Sequence, residues 1–251
     1  MLHDDLHAGI LTLRLAHGKA NALDLDLVTA LGEAAARITE DPAVRAAVLV
    51  GAGHIFCAGV DLYRLLDGGP AYSRAFVPRL SEAFHRLFAC EKPVVAAVNG
   101  HAIAGGCVLA AACDYRLMAA GDARIGVPEL RVGVPFPLVA IEILRFATST
   151  AHLQELVYRG TTYTTAEAYE RGLVDEVVDL ASLADRATEV ADRLGAEPAA
   201  RFRLTKRQLR APTLAAIAAH ARETDDEVLA VWQQPETVAA IRAYLAARRQ
   251  T

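Results

Sequence analysis

A buried strand running into a glycine turn and then a helix occurs twice in this chain, and it constrains the fold more than any other feature. Ala46-Ala47-Val48-Leu49-Val50 runs into Gly51-Ala52-Gly53, and Pro93-Val94-Val95-Ala96-Ala97-Val98 runs into the turn Asn99-Gly100. Both apolar runs are short, unbroken and bounded by turn signals, the mark of a strand covered on both faces. Beyond each turn stands a further glycine segment, Ala58-Gly59-Val60-Asp61 after the first run and Gly105-Gly106 after the second. Glycine there permits a sharp turn and lets main-chain N–H groups come close to another molecule with no Cβ in the way.

The rest of the chain fits the same plan. Ile10 to Leu15 alternates as a strand does, and Leu27, Leu31, Ala35 and Ile38 recur at helix spacing, with His17-Gly18-Lys19-Ala20-Asn21 between them. A helix is predicted from Ala71 to Ala89, with Phe76, Leu80, Phe84 and Phe88 inward, and another over Cys107 to Ala112, beginning at the glycine pair. After Tyr115 to Met118, Asp122 to Gly133 reads as irregular or strand, and helices are predicted over Ala151 to Arg159 and Thr165 to Arg171. Past Glu197-Pro198 the pattern is wholly helical, over Ala199 to Arg210, Leu214 to Val231 and Glu236 to Arg249, punctuated by prolines at 198, 212 and 235. The expectation is an α/β core over residues 1–198 and a helical region over 199–251.

Charge and cysteine usage bound the function. With 30 acidic against 26 basic residues and a net charge of -4, no global basic field invites nucleic acid. Cys57, Cys90, Cys107 and Cys113 lack metal-ligand spacing and read as reduced thiols of a cytoplasmic protein. Neither a signal-like start nor an apolar run of membrane-spanning length is present, so a soluble, unexported protein is expected.

Abstraction of a proton beside a thioester puts negative charge on the carbonyl oxygen, and two preorganised amide donors stabilise that charge as it develops. Val60 and Gly105 are the expected donors: Gly59 permits an unusual dihedral beside the first, and Gly105-Gly106 opens a helix whose dipole reinforces the second. Either glycine segment alone is equally at home as a tight turn. Glu129, in Gly126-Val127-Pro128-Glu129-Leu130, lies in an apolar stretch where burial would raise its pKa toward that of a useful general base. A surface glutamate or a helix cap is the alternative, and Asp114 and Asp122 read as turn or cap residues.

The other reactive residue types offer less. The histidines show no paired spacing, so no metal is expected, and His101 reads as packing beside the second glycine loop. No G-x-S-x-G elbow surrounds a serine. Cys57 and Cys107 read as small apolar wall residues. Arg201, Arg203, Lys206, Arg207 and Arg210 form a basic segment that a nucleotide phosphate could use, with solvated helix charge as the alternative, and Lys19 is a separate candidate for a cofactor phosphate.

Taken together, these motifs resemble the enoyl-CoA hydratase/isomerase, or crotonase, family over nearly the whole chain. Gly18-Lys19-Ala20-Asn21-Ala22-Leu23 is similar to its first CoA-contacting loop, Phe56-Cys57-Ala58-Gly59-Val60-Asp61-Leu62 to its first oxyanion motif, and Asn99 to Cys107 with Cys113-Asp114 to its second. The resemblance implies the crotonase-like (ClpP/crotonase) α/β fold of repeated ββα units with a C-terminal helical oligomerisation region. It also implies a homotrimer or dimer of trimers. No catalytic cofactor is implied, because coenzyme A enters as part of the acyl-CoA substrate, with Lys19, Ala20, Ala58 and Leu62 near it.

In the same correspondence Val60 and Gly105 supply the oxyanion N–H groups, and Glu129 matches one of the two hydratase glutamates. Val108 stands at the position of the other. Hydration needs a water held and deprotonated while the α-carbon gains a proton, and an apolar Val108 cannot hydrogen-bond that water. A double-bond shift from 3-enoyl to 2-enoyl needs one carboxylate. Isomerisation is therefore expected ahead of hydration, with a catalytically weak acyl-CoA-binding protein as the third reading.

Overall fold

In the computed structural model, which describes residues 1–248, the chain opens on an antiparallel hairpin of β1 (Leu2–His7) and β2 (Ile10–Leu15). Ala8 and Gly9 turn it, both at positive φ. Helix α1 (Leu25–Glu40) follows, capped by the Asp24 carboxylate, which accepts from the Leu27 N–H. Three units of like form come next: β3 (Ala46–Gly51), β4 (Ile55–Cys57) and α2 (Leu62–Ala89); β5 (Val94–Val98), β6 (His101–Ile103) and α3 (Gly105–Ala112); β7 (Tyr115–Ala119), β8 (Arg124–Gly126) and the short α4 (Glu129–Val132). The chain continues through α5 (Leu138–Ala147), α6 (Thr150–Tyr158), β9 (Thr162–Thr164), α7 (Thr165–Glu170), β10 (Glu176–Val178) and α8 (Leu183–Gly195). Two helices complete the described chain, α9 (Ala199–Trp232) and α10 (Pro235–Arg248).

The first strand of each unit enters a six-stranded sheet, ordered β1-β2-β3-β5-β7-β10, and the second enters a four-stranded sheet, ordered β4-β6-β8-β9. From β2 to β10 the large sheet is parallel; in the small one, β9 runs against β8. The fold is thus the expected α/β arrangement of repeated ββα units followed by helices.

Burial on both faces explains the unbroken apolar runs. Ala46, Val48, Val50, Val95 and Ala97 face α8 through its Leu183, Ala187, Val190 and Ala191. The alternate residues, Ala47, Leu49, Val94, Ala96 and Val98, enter the main core, with Leu31, Phe76, Phe84, Leu109 and Ile143 of the helices. Neither face of these strands reaches water, so no polar alternation survives in the sequence.

The structure corrects several expected boundaries. Helix α2 begins at Leu62 rather than Ala71, because the Asp61 carboxylate caps it through the Tyr63 and Arg64 N–H groups. Gly69 (φ 59, ψ -154) kinks it just before Pro70, which hid the first two turns from a periodicity argument. Strands β4, β6 and β8 are three residues each, too short for a pattern. Pro212 does not end a helix: α9 runs through it. Both Pro212 and Gln208, whose carbonyl loses its partner there, are exposed, so the freed group is open to solvent. The last predicted helix reaches Arg249, which lies outside the described residues.

In the basic segment at 201–210, Arg201, Arg203 and Arg207 are exposed, whereas two of the five residues are not solvated charge. Lys206 and Arg210 turn inward, 6% and 3% exposed, onto Asp114 at the start of β7. The Lys206 ammonium lies 2.6 Å from Asp114 Oδ2 and 2.8 Å from the Lys92 carbonyl. Arg210 donates to Asp114 Oδ1 at 2.8 Å and to the Phe88 and Ala112 carbonyls, with its guanidinium 4.2 Å from the Phe88 ring centroid. Asp114 also accepts from the Val94 N–H at 2.8 Å, so the residue read as a turn or cap ties α9 to the central strand β5. Replacing Asp114 by Ala strands two buried cations and should lower the unfolding free energy by about 3–5 kcal/mol in urea titration. A loss under about 1 kcal/mol, the scale of an exposed pair, would show that solvent reaches the cluster.

Candidate active site

The two glycine loops meet. A Cβ built on Gly59 (φ +82) would stand 2.5 Å from Ala104 Cβ and 3.1 Å from the Gly105 nitrogen, so only glycine permits the approach. Ala104 caps α3 at φ 55, ψ -125, with no side chain bonding the first N–H groups of the helix. On the other loop, Leu23 donates to the Gly59 carbonyl at 2.8 Å and accepts from the Asp61 N–H at 2.9 Å, a parallel bridge centred on Val60. The Val60 peptide groups therefore point away from Leu23. Among the described residues, neither the Val60 nor the Gly105 N–H donates to a loop, turn or cap carbonyl.

The loop between β2 and α1 is stitched to the same place. Ala58 donates to the Ala20 carbonyl at 3.0 Å. Buried Asn21 (φ 49) donates to the Ile55 carbonyl at 2.8 Å and to those of Phe56 and Ala52, and its amide oxygen accepts from the His17 N–H at 2.9 Å. A positive φ at a non-glycine residue is tolerated because these bonds fix it.

Between the loops and the C-terminal helices lies a chamber of about 550 Å³. Lys19, Ala20, Ala58, Val60, Leu62, Gly105 and Glu129, all singled out from sequence, line it, as does Val108. Glu129 enters from the first turn of α4, behind Pro128, where Gly133 (φ 97) closes the four-residue helix. Its Oε2 is sealed from solvent without a hydrogen-bond partner. Burial pushes the Glu129 carboxyl up to about 8, with only its own N–H pulling the other way.

The sequence did not reveal every wall. His17 and Asp24 line the chamber and are joined, Nε2 to Oδ2, at 2.7 Å, with Arg64 4.0 Å from the same carboxylate. Asp24 carried only the signal of a helix cap. Trp232, Tyr244, Leu245 and Arg248 come from the C-terminal helices, more than a hundred residues from the glycine loops. Cys57 and Cys107, expected in the wall, are wholly buried outside it, and burial pushes the Cys57 thiol up to about 12. His101 accepts the Arg124 N–H on Nδ1 and lines a neighbouring groove rather than the chamber. Among the described residues no helix is long and apolar enough to cross a membrane.

Chemically, this arrangement brings the Val60 loop, the start of α3 and a carboxyl of raised basicity into one chamber. Such a site can hold a developing oxyanion and move a proton near it.

Comparison with known proteins points the same way. The sequence profile of the enoyl-CoA hydratase/isomerase family matches residues 5–250. A probable enoyl-CoA hydratase of Mycobacterium tuberculosis, echA8, is 32% identical over 206 residues, covering 82% of this chain and 79% of its own. A carnitinyl-CoA dehydratase of Salmonella agona is 34% identical over 194 residues, covering 77% and 74%. Human mitochondrial delta3-delta2-enoyl-CoA isomerase superposes with a TM-score of 0.94 over 99% of this chain and 98% of its own, and at 23% identity that likeness speaks for the fold alone.

The raised Glu129 pKa has a consequence for stability. In the unfolded chain this carboxyl ionises near 4.5, in the folded protein near 8, so the folded state holds the proton more tightly. Its contribution is full below about 4.5 and is lost as pH rises through about 8. Urea unfolding across that window should therefore show wild type losing stability relative to Glu129→Gln as pH rises. Parallel curves would mean that the carboxyl titrates as an ordinary glutamate.

Proposed function

The chain belongs to the enoyl-CoA hydratase/isomerase family and processes acyl-CoA thioesters; within that family we propose that it moves a double bond, converting a 3-enoyl-CoA to the 2-enoyl-CoA. The observation that carries this reading is the pairing of Glu129 with Val108 in the walls of the chamber. The other carboxylates there are engaged nearer the CoA loop, Asp24 with His17 and the Leu27 N–H, Asp61 as the cap of α2. Among the described carboxylates of the chamber, Glu129 is the one with a buried oxygen that has no hydrogen-bond partner.

In this mechanism the thioester oxygen sits between the Val60 and Gly105 N–H groups. Glu129 removes a proton from C2, the C3–C4 double bond of the resulting dienolate becomes C2–C3, and the same proton returns at C4. The charge on oxygen develops where the two amides and the start of α3 stabilise it, and each such donor is worth about 3–4 kcal/mol in a transition state. Hydration would require a second polar group to hold a water, and Val108 supplies none. The relatives that are named as a hydratase and a dehydratase keep hydration as the second reading.

Coenzyme A is placed by the same reading along the loop at 17–20, with Ala20, Ala58 and Leu62 beside the pantetheine and the exposed Lys19 toward a phosphate. Assembly into a trimer or a dimer of trimers belongs to it as well, supported by Leu204 and Leu209 standing exposed on α9.

Replacing Glu129 by Gln keeps the side chain's size and removes its base, so turnover of 3-enoyl-CoA should fall by about a hundredfold or more with little change in ligand affinity. Because the base must be ionised, wild-type kcat/KM should rise with pH and level off above about 8. Isomerisation that survives the substitution, or efficient hydration of 2-enoyl-CoA by wild type, would overturn the single-base account. Lys19→Ala should weaken CoA-ester binding while sparing the saturated rate, because the contact is remote from the reacting carbons. Unchanged affinity removes Lys19 from the site.

A further inference from the structure

The chamber has a second cavity behind it, and one side chain stands between them. Trp232, the last residue of α9, is 4% exposed, and its indole N–H donates to the Pro135 carbonyl at 3.0 Å. That bond holds the ring against the Pro135-Phe136-Pro137 segment, which also lines the chamber. On its other side is a cavity of about 190 Å³ whose apolar walls are Leu65, Leu66, Pro70, Val238 and Ile241. Gly69, at which α2 kinks, lies in the same wall. Among the described residues Trp232 is the one that lines both spaces.

Resting on the acyl-CoA reading above, we propose that Trp232 is the end wall of the acyl channel and sets the longest acyl chain the enzyme accepts, with a largely apolar cavity behind it. The chamber narrows the choice of ligand group at that end to hydrocarbon: Leu80, Phe84, Val132, Val134 and Ala140 line it with Trp232. The rear cavity is large enough to matter, since an apolar cavity of about 150 Å³ accommodates benzene. Removing the indole joins the two volumes and lengthens the channel. Ser73, Gln233 and Arg242 add polar atoms to the rear cavity, and the Ser73 hydroxyl is already bonded to the Gly69 carbonyl at 3.2 Å.

Calorimetric binding of saturated acyl-CoAs from butanoyl to tetradecanoyl tests this without turnover, alongside kcat/KM on the matching 3-enoyl-CoAs. Wild-type affinity should rise about fourfold per methylene and then break off sharply. Trp232→Ala should move the break outward by at least two methylenes, a gain of about fifteenfold or more for the longest chains. Adding Val238→Phe to that variant refills the rear cavity and should draw the break back. Trp232→Leu keeps an apolar contact and should shift the break the same way if the alanine variant fails to fold. A wild-type profile without a break, or one that a folded Trp232 variant leaves in place, overturns the proposal. A break that moves in binding while no 3-enoyl-CoA is isomerised keeps the end wall and sinks the assigned reaction; isomerisation with an unmoved break does the reverse.

Discussion

Contact between the turn at Gly59 and the turn at Ala104-Gly105 is the constraint on which the rest of the site depends. The two turns come from segments forty-five residues apart in sequence. They are brought together by pairing β4 with β6, Ile55 against His101 and Cys57 against Ala102, directly beneath the turns. The approach continues one residue further, where a Cβ on Gly106 would lie 2.1 Å from the Cys57 carbonyl oxygen. The large sheet sets the spacing in turn, since β3 and β5 are neighbours there and deliver β4 and β6 side by side.

Holding this geometry costs conformational strain, and the structure offsets it with hydrogen bonds. Ala104 and Asn21 both adopt positive φ, a conformation unfavourable for residues with a Cβ. Asn21 is fixed by its own amide bonds and Ala104 by the Gly126 carbonyl, which accepts its N–H at 2.8 Å. The C-terminal half is held as firmly. Asp225 of α9 accepts from the Ser81 hydroxyl at 2.6 Å and from the Leu138 N–H at 3.1 Å, joining α2 and the start of α5. The helix that supplies Trp232 is thus positioned by polar ties at Asp225 and at Asp114, toward its two ends.

What the sequence made legible follows from the range of each interaction. Strands β3 and β5, the α1 stripe and the glycine loops announce themselves through neighbours a few residues apart. Val60 and Gly105 on the glycine loops, and Glu129 and Lys19 in short local motifs of their own, could therefore be singled out before the fold was known. Val108 mattered through an absence, a missing carboxylate that only the family resemblance made visible. The rest was decided by long-range packing: Lys206 and Arg210 read as surface charge until Asp114 drew them inward. Three-residue strands leave no period to detect, and Pro212 carried a strong helix-ending signal that an exposed helix face cancelled. His17 and Asp24 form a pair across seven residues of loop, which spacing alone could not distinguish from coincidence.

The chamber draws its walls from both ends of the chain in order. His17 and the loops at 58–62 and 104–105 come first, Glu129 next, and Trp232, Tyr244 and Arg248 last. A polypeptide leaves the ribosome from its N-terminus, and its domains fold as they emerge. Val60, Gly105 and Glu129 are therefore made about a hundred residues or more before Trp232, Tyr244 and Arg248 complete the chamber. The far wall arrives with Trp232 and α10, so a product of premature termination near residue 230 would keep the glycine loops and Glu129 and lose Trp232, Tyr244 and Arg248 from the chamber.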